Sequence, residues 1–163
     1  MIDFNAEIKS GESLANIVLD SNVSIYLKEL YEYHEVVVKN YTLPDSEIRT
    51  AYWVDNTITI TTKADGAICS LGCNKNYKGT YRKTFRTGMF FYEIAELSKR
   101  QRIFNGSLIL EDDFGISYVI PSPFDEIADS IQDIPANLRL DEIYISDFSS
   151  WVKIVCTIGQ VNY

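Results

Sequence analysis

The sequence predicts an α+β fold: one domain over residues 1–163, mainly antiparallel sheet, with two or three short amphipathic helices packed on it. Three observations point there. A chain of 163 residues with 46% hydrophobic and 23% charged residues has the composition and size of one globular unit with a real core. Eleven Tyr, eight Phe and two Trp, with many Val, Ile and Thr, favour strands. Short alternating runs recur between Asn, Asp, Gly and Pro punctuation, as strands do between turns.

Taken in order, "IDFNAEI" at 2–8 alternates and reads as a first strand. In "SNVSIYLKELYE" the apolar positions Val23, Tyr26, Leu27, Leu30 and Tyr31 follow helical spacing, with Ser21 or Asn22 placed to cap. "HEVVVKNY", "EIRTAYWV", "TITITT" and "AICSLGC" then form a meander, separated by turns at Leu43-Pro44-Asp45, Asp55-Asn56 and Ala64-Asp65-Gly66. "NYKGTYRKTFR" alternates Tyr77, Tyr81 and Phe85 with Lys78, Arg82 and Arg86, a strand with an aromatic inner and a basic outer face. "MFFYEIAELSKR" places Phe90, Phe91, Ile94 and Leu97 on one helical face and ends in cations. Asn105-Gly106 joins "RIF" to "SLILE" as a hairpin, and "GISYVIP", "LDEIYISDF" and "WVKIVCTIG" complete the sheet. "PFDEIADSI" reads as a helix over 123–131 capped by Ser122, with Phe124, Ile127, Ala128 and Ile131 inward and Asp125 and Asp129 outward. Gly11 and Gly88 each open a segment of helix and strands, a faint pseudo-duplication of 1–75 and 76–163.

Charge narrows the function. The net charge is −8, which opposes long-range attraction to nucleic acid. It is also unevenly spread: eight cations against Glu93 and Glu96 lie between Lys75 and Arg102, and ten acids against Arg139 lie between Glu111 and Asp147. The aromatics and cations of "YKGTYRKTFR" point to opposite faces of a strand, so they cannot line one nucleic-acid groove. The N-terminal "MIDFNAEIKS" carries acids where a secretory signal has cations, and no apolar run has membrane-spanning length, so a cytoplasmic protein without membrane contact is expected.

Catalytic parts are sparse. His34 is the one histidine, Cys69, Cys73 and Cys156 have no ligand or disulfide spacing and read as free thiols, and no Gly-rich phosphate loop or nucleophile elbow occurs. Asp113-Phe114-Gly115 spells a kinase tripeptide without the rest of that signature set, and reads as a turn. Asp112, Asp113, Asp125 and Asp129 could hold a metal as nuclease carboxylates do, yet the stretch has no lysine or histidine to activate water. A non-enzyme without cofactor or metal is therefore expected, with a carboxylate-metal hydrolase as a further alternative.

The most distinctive feature is the run from Glu111 to Asp133, with seven carboxylates and no cation. It reads as a face for a basic partner or for the chain's own basic segment, Lys78, Arg82 and Arg86 among it. "NYKGTYRKTFRTGMFFYEI" and "NGSLILEDDFGISYVIPSPFDEIADSI" together resemble the immunity proteins of bacterial polymorphic toxin systems, contact-dependent growth inhibition especially. That resemblance implies a cognate toxin domain as partner, a tRNA- or DNA-cleaving nuclease, occluded by acids that stand where substrate phosphates would. Glu111, Asp112, Asp113, Asp125, Glu126, Asp129 and Asp133 would form the acidic face, with Tyr118, Phe124 and Phe148 as aromatic anchors if exposed. An interaction or structural protein unrelated to toxins is the alternative reading.

Overall fold

An eight-stranded antiparallel sheet carries the molecule, and the core lies on one of its faces. The computed structural model describes residues 1–147; Phe148, Cys156 and the expected strand "WVKIVCTIG" lie outside them. In chain order the strands and helices are β1 (Ser13–Leu14), β2 (Ile17–Val18), α1 (Ser24–Tyr33), β3 (Val36–Thr42), β4 (Ile48–Val54), β5 (Ile58–Lys63) and β6 (Ile68–Cys73). Then follow α2 (Phe91–Leu97), β7 (Gln101–Phe104), β8 (Ser107–Leu110), β9 (Ile116–Val119), α3 (Phe124–Ile127), a 3-10 turn at Ile131–Asp133, and β10 (Ile143–Ser146). The α+β expectation describes this architecture.

Strand order is β3-β4-β5-β6-β10-β9-β8-β7. Each half of the sheet is a helix followed by a four-strand meander, and the two meanders join through their last strands, β6 and β10. Asp55-Asn56 and Asn105-Gly106 turn with positive φ throughout (49°, 47°, 46° and 71°), the twist that two-residue hairpins need. At the junction Tyr144 faces Gly72 and its ring lies where a side chain would be: a Cβ on Gly72 would sit 2.3 Å from it.

The inner face carries Val54, Ile58, Ile60, Leu71, Leu108, Ile116, Tyr118, Ile143 and Ile145, which pack in one cluster with Leu14, Ile17, Leu30, Tyr77, Phe85, Phe91 and Ile94. Burial of this apolar surface is the main stabilising term. In α1 only Leu30 is fully buried; Tyr26 and Leu27 are half-buried against the core. The helix begins at Ser24, whose N–H donates to Asn22 Oδ1 at 3.0 Å, so Asn22 serves the first turn from one residue outside the Val23 cap.

Four expectations are corrected. Residues 2–8 form turns, with one bridge from Ile8 to Tyr81, and the N-terminal strands are the short β1 and β2. Residues 75–86 form no sheet strand. Gly79 leaves no room for a side chain, since a Cβ there would sit 1.9 Å from Ala6 O, and Arg82 and Lys83 have positive φ in a turn closed by Tyr81 N–H to Phe85 O at 2.7 Å. Tyr77, Tyr81 and Phe85 are nonetheless buried and Lys78, Arg82 and Arg86 exposed, so the inner and outer sets stand without the ladder. In α2, Leu97 is 55% exposed and the inward positions are Phe91 and Ile94.

The fourth correction is the helix over 123–131. It stops at Ile127, and Ser122 makes no cap; Pro123 occupies that position without a side-chain cap bond. Ala128 is extended because the next residues follow a competing local order. Asp133 accepts from the N–H of Asp129 (3.1 Å) and from the N–H and Oγ of Ser130 (2.9 Å each), a capping box for the 3-10 turn. Ile127, expected inside, is 65% exposed, whereas Ala128 and Ile131 are buried.

Candidate functional site

The carboxylates of 111–133 do not make one face. They divide into a set that the chain itself engages and a set that faces solvent. The β7–β8 hairpin produces the first: its register sets Gln101 opposite Leu110 and Arg102 opposite Ile109, so Lys99–Arg102 and Glu111–Asp112 meet at its open end. Asp112 accepts from Arg100 Nη1 and, at 3.0 Å, from Arg102 Nε. The Arg100 guanidinium beside it, helped by Arg102 and against some desolvation, holds the Asp112 carboxyl below the usual range. Glu111 Oε1 accepts from the N–H of Lys99 (2.5 Å) and of Arg100 (3.3 Å). Counting outward from Asn105-Gly106 would have revealed these pairs in the sequence.

Asp113 is an internal clamp. Its carboxylate accepts from the hydroxyls of Ser10 and Tyr81 and from Gly115 N–H at 3.2 Å, with Arg82 Nη2 at 3.8 Å. Gly11 N–H donates to Gly115 O at 3.0 Å, and a Cβ on Gly115 would sit 2.4 Å from Ser10 Oγ. The Asp-Phe-Gly turn therefore ties the N-terminal segment and the 81–85 turn to the β8–β9 connection. Tyr118, expected as a surface anchor, is fully buried at 0% exposure on β9, edge-to-face with Phe85 at 5.9 Å. Burial, then the nearby Tyr81 and Asp113, push its phenol well above the usual value. It cannot touch a partner.

The second set lies on α3 and the turn after it. Glu126, Ile127, Asp129 and Asp133 are exposed, Asp125 and Phe124 are half-buried, and no ion pair among the described residues engages these acids. Asp125 sits on the β7–β8 turn, its Cβ 3.2 Å from where a Gly106 side chain would begin, with Oδ1 buried and without a hydrogen-bond partner. Ser130 holds the Asp133 carboxyl low through its hydroxyl and then its N–H. Among the described residues no three His, Cys, Asp or Glu side chains gather closely enough to hold a metal ion. His34 is bound to Asp55, Nδ1 to Oδ2 at 2.6 Å, at the end of α1. Cys73 is buried in the core, which pushes its thiol up to about 12.

Sequence reasoning missed a different surface, at the other end of the sheet. Ile25 and Tyr33 on α1, Val37, Val38 and Tyr41 on β3, and Ile48 and Trp53 on β4 are all exposed, and every β3 residue after Val36 is exposed. The signal was present in "EVVVK", where three successive Val break the alternation of a strand with one wet face. Among the described residues no helix is long and apolar enough to cross a membrane.

The chain matches no family model and no curated protein. Among solved structures it is similar to the crystal structure of the uncharacterized protein yfeY from Escherichia coli, with a TM-score of 0.56 and 12% identity, covering 89% of this chain and 98% of that one. That likeness is one of fold.

Proposed function

We propose that the protein is an immunity protein of a bacterial toxin system, which binds a cognate basic toxin domain and neutralises it by covering its substrate surface. The observation that carries this reading is the segment of α3 and the turn after it, where Glu126, Ile127, Asp129 and Asp133 are all exposed and no cation of the chain is paired to these acids among the described residues. An exposed apolar residue close in sequence to acids without ion pairs suits a basic partner: the acids steer encounter, and the apolar residue adds contact on docking. A tRNA- or DNA-cleaving nuclease is the proposed toxin, because its lysines and arginines must already be arranged for phosphates. Glu111, Asp112 and Asp113 are left out of the proposed interface: Asp112 and Asp113 lie against the chain's own arginines, and Glu111 accepts from the N–H groups of Lys99 and Arg100.

The alternative, an interaction protein unrelated to toxins, is favoured by one specific observation: Arg82, Arg100 and Arg102 lie against Asp113 and Asp112. Part of the charge imbalance is thereby internal.

The test is expression of the reading frame immediately upstream, with and without this protein, following growth and co-purification. Rescue with a stable complex supports the reading, as does slower, less salt-dependent association of the Glu126→Lys, Asp129→Lys double variant. Absence of both toxicity and complex removes it.

A further inference from the structure

We propose that the outer edge of β3 pairs with β3 of a second copy of this chain, antiparallel, with Val37 opposite Val37. In the sheet β3 pairs with β4 alone, so its far side has no strand among the described residues. The β3–β4 ladder ends with Leu43 N–H on Glu47 O and Asp55 N–H on Glu35 O, both 2.9 Å. Bonded and non-bonded pairs alternate along such a ladder, so Val37, Lys39 and Tyr41 bond inward. Val36, Val38, Asn40 and Thr42 therefore direct their N–H and C=O groups outward, an open row that another strand can complete.

The sequence of this edge says which strand. Glu35-Val36-Val37-Val38-Lys39 is complementary to itself when reversed. With Val37 on the two-fold axis, Glu35 stands opposite Lys39 of the second copy and Lys39 opposite Glu35, both pairs beside Val37 on the face away from the core. Val36 stands opposite Val38, and these are the residues whose backbone groups point outward, so the hydrogen-bond phase and the charge pairing select the same register. The alternative that overlaps all seven residues would set Lys39 against Lys39, and like charges directly opposite are unfavourable. Val37, 57% exposed on the face it shares with its β4 partner Trp53, and Val38, 43% exposed on the opposite face, would each pack beside a valine of the second copy. The result joins two eight-stranded sheets into one continuous sheet with isologous symmetry.

Sedimentation equilibrium from micromolar to millimolar protein tests this. The wild-type chain is expected to dimerise reversibly. Lys39→Glu, which sets like charges opposite at both pairs, should weaken the dimer roughly tenfold or more. Glu35→Lys combined with Lys39→Glu should restore it. Both side chains are exposed, so circular dichroism and thermal unfolding should stay unchanged; should Lys39→Glu fail to fold, Lys39→Gln gives the same test with a smaller loss. A wild-type monomer at every concentration, a dimer indifferent to Lys39→Glu, or a double variant as weak as the single one would overturn the proposal.

Discussion

The two meanders share a topology and differ at their outer edges. The first is built from strands of 7, 7, 6 and 6 residues and ends on β3, whose side chains are exposed on both faces. The second has four strands of 4 residues each and ends on β7, against which the 3-10 turn lies and beside which Arg100 and Arg102 are committed to Asp112. The difference teaches that topology and surface are specified separately. Turn residues and inward apolar positions set the first, and what the wet positions hold sets the second.

If both meanders belong to one cooperative core, Leu71→Ala on β6 and Leu108→Ala on β8, each fully buried, should each cost roughly 2–5 kcal/mol. Chemical denaturation should show a single transition moved by both; two separable transitions would break the comparison at the β6–β10 junction. Gly72→Ala strikes that junction itself, since the new methyl must displace the Tyr144 ring, and a loss of about 1–3 kcal/mol is expected. A stability equal to wild type would mean that the ring moves freely.

Asp113→Ala should follow at about 1–3 kcal/mol, because the Ser10 and Tyr81 hydroxyls lose their acceptor. Asp113→Asn should recover part of it, whereas equal losses would deny the carboxylate its clamping role. Acid reaches both halves, since Asp3 and Asp55 in the first also titrate below 3.8. Asp112 and Asp133 titrate below their ordinary value of 3.8 in the folded chain, so their contribution is complete above about pH 4 and is lost as pH falls through the lowered values. The double variant Asp112→Asn, Asp133→Asn should flatten the stability profile below pH 4; an unchanged slope would assign acid sensitivity elsewhere. The smallest effect is expected at Ile127→Asp, within about 0.5 kcal/mol because the side chain is exposed. A large loss in thermal unfolding would mean the residue is covered in solution.

Much of the fold was legible because its signals are local. Asp55-Asn56 and Asn105-Gly106 tolerate the positive φ that tight hairpins need, the alternating runs between them became strands, and the spacing from Val23 to Leu30 became α1. Legibility failed where two local orders competed. Residues 123–131 have helical spacing, but Asp133 reaches back to Ser130 and Asp129 and breaks the helix first. Residues 77–86 alternate for a different reason: a turn around Arg82-Lys83 buries three rings from a folded-back loop. The candidate site was half legible. The acids were evident, but which of them the chain engages depended on the hairpin register and on Ser10, 103 residues away from Asp113.

Unequal edges also limit how far such a sheet can grow. A body with two open, apolar rims adds copies without end, and the product is a fibre. Here one rim is long and, among the described residues, open, and the other is short, bordered by arginines at 65% and 50% side-chain exposure and flanked by the 3-10 turn. Pairing through the open rim, as proposed, would use it up in a single step and leave the two arginine-bordered rims outward, which favours a closed pair over a growing fibre.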